Sequence, residues 1–331
     1  MSNIKSTLSR LDEINDWLIH VLASPDYQIE PASSDASFRH YFRITLTDKT
    51  WILMDAPPQQ EDTKPFIDIA TFLYQHDIHV PKIEAQDRKL GFLLLSDFGD
   101  TAYLDVLNND SVDNLYQAAI DSLIAIQSID SDTITLPAYD KSLLQREMNL
   151  FPRWFLNEHL AIEAPNFLPQ IFDILVNNAL EQPQLIVHRD YHSRNLMHTT
   201  THSPGIIDFQ DAVIGPISYD LVSLLRDCYI SWPEDKINRC ICYYFEQAQK
   251  LDLLPQISLE QFTRWFDFMG LQRHIKVLGI FCRLNYRDNK PNYIDDLPLT
   301  LHYVKQVSAK YPEFFKLHEF LVQQPLIAKI K

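Results

Sequence analysis

One stretch of this chain, residues 185–220, carries an ordered set of polar residues between short apolar runs. The triplet His188-Arg189-Asp190 comes first, Asn195 follows five positions after Asp190, and Asp208 comes thirteen positions after Asn195. Apolar, β-branched runs precede the triplet and lead into Asp208, which predicts a polar loop between two strands. Such a loop would hold several polar side chains in fixed positions.

The residue types in this set fit one kind of chemistry. Phosphoryl transfer needs a carboxylate facing the acceptor hydroxyl, and carboxylate and amide oxygens suit Mg²⁺. The kinase template has the same order, His-x-Asp, then Asn, then Asp-Phe-Gly, with Gln210 here in place of the glycine. A His-Arg-Asp triplet alone is more typical of a simple turn. The whole ordered set favours a catalytic loop.

Composition limits the possible partners. The 331 residues include 44 acidic and 29 basic side chains, giving a net charge of −15. Such a chain is a poor binder of nucleic acid or anionic membranes, so phosphate would have to be held by local groups. The four cysteines lack paired CxxC spacing, which predicts reduced thiols in a cytoplasmic protein and no metal cluster. No run approaches the ~20 apolar residues of a membrane span.

Apolar periodicity divides the chain into a β-rich part and a helical part. Residues 4–22 repeat apolar side chains at helical spacing, which predicts an amphipathic docking helix and not a signal peptide. Alternating runs up to residue 95 predict a small antiparallel sheet with one inserted helix. Longer helical patterns follow, among them residues 141–160. We therefore predict an α+β fold in two lobes, 1–96 and 97–331, with a ligand cleft at their joint.

Several segments resemble known proteins. A resemblance to the aminoglycoside phosphotransferase branch of the protein-kinase-like fold is carried by HRDYHSRNL and IDFQDAVIGPISYDL. A closer one, to the bacterial anomeric sugar kinases of cell-wall recycling, is carried by SSDASFRHYFR, LMDAPPQQED, GFLLLSDFGD, REMNLFPRWF and MGLQRHIKVLGIFCRL. Those enzymes phosphorylate N-acetylmuramate and N-acetylglucosamine at C1. The resemblance implies a protein-kinase-like bilobal fold, with a nucleotide-binding lobe and a helical lobe that carries the acceptor site.

The resemblance also implies roles for the loop residues. Asp190 would be the catalytic base. Independently of the resemblance, a histidine beside an aspartate in such a loop braces the backbone by hydrogen bonds more often than it binds a metal, so we expect His188 to brace the loop. Asn195 and Asp208 would hold Mg²⁺ against the phosphates of ATP. Further support for the loop would come from Arg194, Asp211 and Asp220.

Two segments would hold the nucleotide. The strand and hinge that contain Leu95 and Asp97 would hold the adenine through backbone groups. The phosphate loop has no glycine, because the first glycine of the chain is residue 91, so the left-handed freedom of glycine is absent there. Small hydroxyl side chains stand in the expected place instead, namely Ser33, Ser34 and Ser37.

A second departure concerns positive charge. Met54 lies on the third predicted strand, where many kinases carry a phosphate-binding lysine. Arg39 and Arg43 alternate on the preceding strand, so both point to one face. We expect Arg43 to replace the lysine; the alternative is that both arginines are solvated.

The acceptor site needs hydrogen-bonding side chains and an apolar platform for a sugar ring. The lactyl carboxylate of N-acetylmuramate would also suit an arginine. Polar and aromatic residues of this kind cluster in three helical segments, although each could belong to a solvated face or the core. The candidates are Glu147, Arg153, Trp154, Trp232, Arg273, His274 and Arg283.

These expectations amount to an ATP- and Mg²⁺-dependent cytoplasmic kinase of a small sugar, without nucleic acid, membrane or obligate protein partner. A kinase of another small alcohol, such as an aminoglycoside, choline or an amino alcohol, stays possible. A nucleotide-binding regulator without catalysis is a third interpretation, which the missing glycines and Met54 support. The intact set Asp190, Asn195 and Asp208 weighs against it.

Overall fold

The computed structural model describes residues 2–34, 39–327 and 330. The chain forms two compact units, the first made of Met1–Asp100 with Thr199–Gln210, the second of Thr101–His198 with Asp211–Lys331. The predicted division into functional lobes at 96/97 stays a prediction, since the compact units have different limits. None of the helices in the described part of the chain combines the length and apolar character needed to cross a bilayer.

The described part of the chain contains strands mainly in its first hundred residues and helices mainly after them. The strands are β1 (Gln28–Ser34), β2 (His40–Leu46), β3 (Lys49–Asp55), β4 (Ile83–Asp87), β5 (Phe92–Ser96), β6 (Gln184–Val187), β7 (Leu196–Met197), β8 (Gly205–Ile206) and β9 (Val213–Pro216). The α-helices are α1 (Ser2–Leu22), α2 (Lys64–Gln75), α3 (Tyr103–Val106), α4 (Val112–Gln127), α5 (Lys141–Met148), α6 (Leu168–Leu180), α7 (Tyr219–Leu225), α8 (Glu234–Lys250), α9 (Leu259–Tyr286), α10 (Leu297–Lys310) and α11 (Phe315–Gln323).

An antiparallel sheet forms the centre of the first unit, in the order β1-β2-β3-β5-β4. Helix α1 packs on one face of this sheet as the docking helix that the sequence predicts. Its Ile14, Trp17 and Leu18 meet Ile44 and Leu53 in one apolar cluster. Burial of apolar surface, at roughly 25 cal/mol per Å², holds the helix to the sheet.

The opposite face of the sheet carries a second set of side chains. Successive side chains of a strand alternate between faces, so Met54, Leu93 and Leu95 point away from α1. All three are buried. The sheet is therefore covered on both faces at its central strands.

Helix α9 runs through the second unit and contacts α6, α7 and α10. Every side chain from Trp265 to Leu278 is buried. A helix buried all round lies in the interior of its unit, and here it brings Arg273 and Lys276 into that interior.

The predicted helix over 141–160 is divided in the structure. Helix α5 ends at Met148, and a π-helical segment runs over Phe151–His159. Pro152 contributes no backbone N–H, so a regular α-helical ladder cannot pass through it. The segment packs on α9, where Gly279 lies so close to Leu150 that a Cβ atom would be 2.4 Å from the Leu150 carbonyl carbon.

We predict that Gly279→Ala destabilises the protein in spite of the better helix propensity of alanine. The new methyl group would overlap backbone atoms that cannot rotate away, and overpacking of this kind costs about 1–3 kcal/mol. Gly270→Ala on the same helix is the matched control, because its Cβ would meet nothing nearer than 3.5 Å. Urea unfolding measures both free energies. Equal stability of the two variants would contradict the close packing of α9 on Leu150.

Candidate active site

One buried carboxylate, that of Asp220, holds the first half of the predicted catalytic loop. The backbone N–H groups of His188 and Arg189 donate to Asp220, at 2.6 and 3.0 Å. Arg189 has φ 77°, a left-handed conformation that costs a residue with a side chain about 1–3 kcal/mol. Asp220 lies in the first turn of α7 and is fully buried. Its two bonds hold the chain in that conformation directly after β6.

A second buried carboxylate holds the rest of the loop. Asp227 accepts from the backbone N–H of Ser193 at 3.0 Å, from the Ser193 hydroxyl at 2.5 Å and from the N–H of Tyr229 at 3.1 Å. The Asn195 amide nitrogen donates to the carbonyl of Asp190 at 2.9 Å. This bond turns the Asn195 nitrogen toward the loop and its oxygen away from that carbonyl, the arrangement that a cation ligand requires.

Asp190 carries a charge in the folded protein. Burial opposes ionisation, but Lys276 foremost, and also Arg273 and Arg189, hold the pKa of Asp190 below its ordinary value. Its backbone N–H donates to Nδ1 of His188 at 3.3 Å, so that the imidazole proton lies on Nε2. His188 is itself buried. The structure thus gives it a positioning contact to the residue predicted as the base.

The cation Lys276 belongs to a buried network around Glu147. The Glu147 carboxylate accepts from Arg189 at 2.5 Å and lies 3.2 Å from the Lys276 nitrogen. It also accepts from the hydroxyl of Tyr139, and Lys276 donates to Tyr219 at 2.9 Å. Helices α5 and α9 are thereby tied to the catalytic loop through Arg189.

Both charges of this pair persist despite burial. Desolvation acts against Glu147, yet Lys276 and Arg189 hold its pKa below the ordinary value. Desolvation likewise acts against Lys276, yet Glu147 and Tyr219 hold its pKa above the ordinary value. The sequence analysis named Glu147 as a candidate for binding the acceptor. In the structure it is 7% exposed and accepts a hydrogen bond from Arg189 of the loop. The sequence analysis did not identify Lys276 as the partner of Glu147. The signal that could have identified it is a lysine within an otherwise apolar helical segment.

Asp208 belongs to the first unit. It has φ 67°, and its carboxylate accepts from the Gln210 amide at 2.6 Å. The neighbouring ring of Phe209 is buried against Phe66 of α2, with centroids 5.0 Å apart. Gln210, which stands in place of the template glycine, therefore hydrogen-bonds directly to the Asp208 carboxylate. Residues held in left-handed conformation by their surroundings are frequent at functional sites.

The residues of the first unit that are predicted to bind the nucleotide differ in their surroundings. Leu95 is inside β5, opposite Ile52 and Ile83, so its backbone belongs to the ladders of the sheet. Asp97 is bonded to Arg43 and to the N–H of Gly99, and its pKa is lowered because these bonds outweigh burial. Ser37 lies outside the described residues, as do the side chains of Ser33 and Ser34.

Arg43 has two carboxylate partners. Its Nε atom lies 2.6 Å from Asp97 and its Nη1 atom 2.5 Å from Asp100. A guanidinium that is matched by two carboxylates presents little net charge to a phosphate. The structure therefore gives the arginine expected to replace the missing lysine a bracing contact at the end of β5.

Three acceptor candidates, Arg153, Trp154 and Trp232, make contacts outside the Glu147 network. Arg153 is exposed and stacks on Trp154 at 5.1 Å. It lines an open groove of about 820 Å³ together with Arg146 on the outer side of α5. Trp232 donates its indole N–H to Tyr116 at 3.0 Å. These contacts are typical of surface and core packing.

Three candidates lie on α9. The ring of His274 is fully buried, bonded to the carbonyl of Arg226 at 2.9 Å, and burial lowers its pKa to about 3, which keeps it neutral. Arg273 is buried and donates to the sulfur of Cys228 at 3.6 Å. Arg283 is half-buried, and its Nε atom has no hydrogen-bond partner among the described residues.

The supporting residues contact the loop in two ways. Arg194 stacks on the ring of Tyr229 at 3.5 Å and lies 3.9 Å from Asp296. Asp211 accepts from Arg189 through its backbone carbonyl, at 3.3 Å. Neither contact involves the reacting groups, so both residues act on the shape of the loop.

Comparison with known sequences places the chain among kinases. Residues 28–251 match the model of the phosphotransferase enzyme family. The N-acetylmuramate/N-acetylglucosamine kinase of Pseudomonas aeruginosa is 44% identical, over 96% of this chain and 97% of that protein. The N-acetylmuramate/N-acetylglucosamine kinase of Neisseria meningitidis is 38% identical, over 96% of each.

Solved structures confirm the predicted fold class. The ADP-bound aminoglycoside phosphotransferase APH(2″)-Ib aligns with a TM-score of 0.57 at 14% identity, over 89% of this chain and 98% of that one. Choline kinase LicA from Streptococcus pneumoniae aligns with a TM-score of 0.59 at 11% identity, over 91% and 99%. At this identity the likeness shows the fold alone, an α+β protein-kinase-like fold.

We predict that Glu147→Gln destabilises the protein by about 3–5 kcal/mol, because two buried cations lose their counter-charge. The lowered pKa of Glu147 means that its contribution is present above its ordinary pKa of 4.5 and is lost as the pH falls through the folded value. Urea unfolding between pH 3 and 7 measures both effects, and the variant should lack this acid dependence. The double variant Glu147→Gln/Lys276→Met should regain part of the loss; no recovery would contradict the pairing.

Proposed function

Because the chain belongs to the phosphotransferase enzyme family, we propose that it transfers the γ-phosphoryl group of ATP to the C1 hydroxyl of N-acetylmuramate and N-acetylglucosamine. Relatives at 38–44% identity that carry these two sugars in their names support the choice of acceptor. The free thiols of all four cysteines support a cytoplasmic location.

The observation that carries the proposal is the position of Asp190 on a loop that Asp220 and Asp227 hold by hydrogen bonds. The Asp190 carboxylate orients the sugar hydroxyl and accepts its proton as the oxygen forms a bond to the γ-phosphorus. The bond between that phosphorus and the β,γ-bridging oxygen breaks, and ADP leaves. An anomeric hydroxyl is more acidic than an ordinary alcohol, so a base whose pKa is lowered suffices. Asp220 and Asp227 keep the loop in place during transfer.

The donor set also fits Mg²⁺. Asn195 is held with its oxygen turned away from the carbonyl of Asp190, and Asp208 offers a carboxylate oxygen. Both are the hard oxygen ligands that Mg²⁺ takes. When bound, Mg²⁺ would neutralise charge on the phosphates. Gln210 would orient the Asp208 carboxylate through the bond that it donates.

Arg283 supports an acceptor with a carboxylate. It lies one turn beyond Gly279 on α9, and burial and the neighbouring Arg287 lower its pKa. A half-buried guanidinium is most stable beside an anion. We propose that the lactyl carboxylate of N-acetylmuramate is that anion. Cationic acceptors such as choline or aminoglycosides would not supply one.

A phosphotransfer screen tests the proposed function. Purified protein would be given ATP with and without Mg²⁺ and N-acetylmuramate, N-acetylglucosamine, choline or an aminoglycoside. NMR should show phosphorus coupled to the anomeric proton of both N-acetyl sugars, and only when Mg²⁺ is present. Transfer to choline or an aminoglycoside alone would replace the proposed acceptor. Nucleotide binding without any transfer would favour a regulator.

We predict that Asp190→Asn lowers kcat by about 10²–10⁴-fold, because the amide cannot accept the hydroxyl proton. The affinity for ATP should stay close to that of the wild type, since the amide keeps the shape of the side chain. Steady-state rates and calorimetry separate the two quantities. Asp132→Asn, an exposed aspartate in a short turn, is the control and should be unchanged. Near-normal turnover of Asp190→Asn would remove Asp190 from its role as base.

We predict that Arg283→Met raises the KM for N-acetylmuramate at least about tenfold, because a charge-assisted contact worth about 1.5–3 kcal/mol is lost. The KM for N-acetylglucosamine, which has no carboxylate, should change little. Arg287→Met is the matched control directly after the same helix, since Arg287 is exposed and already paired with Asp288. Equal effects on both sugars would show that Arg283 does not read the carboxylate.

A further inference from the structure

The phosphates of ATP need a cation that the third strand does not supply. Met54 on β3 is fully buried on the sheet face opposite α1, at the place where the kinase template has its lysine. Phe42 and Ile44 of β2 belong to the apolar cluster on the α1 face. By alternation, the odd-numbered side chains of this strand share the face of Met54. Arg43 therefore points to that face, and Arg39, which comes directly before β2, continues the same alternation.

The two arginines differ in burial and in counter-charge. Arg43 is bonded to Asp97 and Asp100 at the end of β5. Arg39 is 7% exposed and its Nη2 atom lies 2.7 Å from the Glu61 carboxylate. Glu61 comes shortly before α2. The pair thus joins β2 to the segment that leads into the inserted helix.

The kinase template uses the same type of contact. Its phosphate-binding lysine forms an ion pair with a glutamate of the inserted helix, and transfer requires that pair. The pair Arg39–Glu61 is of the same type, but its cation lies directly before β2 and its carboxylate three residues before α2. Burial opposes the charge of Arg39, yet Tyr41 and Glu61 hold its pKa above the ordinary value. The arginine is therefore a permanent cation.

We infer that Arg39 is the residue that contacts the phosphates of the bound nucleotide in place of the missing lysine, and that Glu61 orients it. This inference rests on the proposed function, because it assumes that the ligand is ATP. A guanidinium carries five N–H donors in one plane, so it can serve Glu61 and a phosphate oxygen at once. A lysine in its place would offer a point charge without that fork.

Nucleotide binding without any sugar tests the inference. Calorimetry would compare the wild type with Arg39→Gln, Arg39→Lys, Glu61→Gln and Arg43→Gln, using ATP, ADP and adenosine. Arg39→Gln should weaken ATP and ADP binding at least about tenfold and leave adenosine binding within twofold. Arg39→Lys should recover part of the loss. Glu61→Gln should weaken ATP less than Arg39→Gln, because the cation stays but its orientation is lost.

Arg10→Gln is the matched control. Arg10 is also a partly buried arginine in an ion pair, 2.6 Å from Asp55, but it belongs to α1 on the opposite face of the sheet. Its replacement should lower the unfolding temperature and leave the affinity of the folded protein for ATP unchanged. A loss of ATP affinity in Arg10→Gln equal to that in Arg39→Gln would show a general effect of destabilisation and overturn the inference.

The remaining outcomes separate the inference from the proposed function. Wild-type ATP affinity in folded Arg39→Gln overturns the inference, as does an equal loss for ATP and adenosine, which indicates a damaged pocket. A large loss in Arg43→Gln with none in Arg39→Gln assigns the role to Arg43. If the wild type itself binds no ATP, the proposed function fails first. Should Arg39→Gln not fold, the ratio of ATP to adenosine affinity in Arg39→Lys and Glu61→Gln decides.

Discussion

Two buried carboxylates fix the backbone of the catalytic loop, and the rest of the second unit is arranged around that constraint. Asp220 accepts hydrogen bonds from the backbone N–H groups of His188 and Arg189. Asp227 accepts from the backbone N–H groups of Ser193 and Tyr229. Burial raises the pKa of Asp220 to about 7, against the two N–H bonds that favour its charge. The hydrogen bonds offset only part of the cost of desolvation. They hold Arg189 in a conformation that a free chain would leave.

Two buried cations, Lys276 and Arg189, lie beside the predicted catalytic loop of this acidic protein. Lys276 and Arg189 share Glu147, and their remaining charge favours the ionised form of Asp190. A buried pair of this kind contributes little to net stability, because desolvation offsets the attraction. Its effect is electrostatic: Asp190, the proposed base, stays charged without a solvated positive surface.

Different parts of the protein were predictable to different degrees. The antiparallel sheet and the amphipathic helix α1 followed from local alternation and periodicity. In the structure Thr45 of β2 pairs with Thr50 of β3, and α1 packs on the sheet. The prediction of one continuous helix over 141–160 was wrong. Pro152 contributes no backbone N–H, and Gly279 of α9 lies close to Leu150 where the helix is divided. The contacts of Glu147 could not be predicted either, because its partner Lys276 lies 129 positions away in the chain.

The sequence by itself determined the fold class, the family and the order of the catalytic loop. Those features are written in residue type, spacing and short-range periodicity, which each segment carries alone. Only the tertiary structure decided that Arg43 pairs with two carboxylates and that Arg39 pairs with Glu61. Alternation assigns both to one face and cannot tell them apart. The counter-charges come from segments distant in sequence, and their position is fixed by packing.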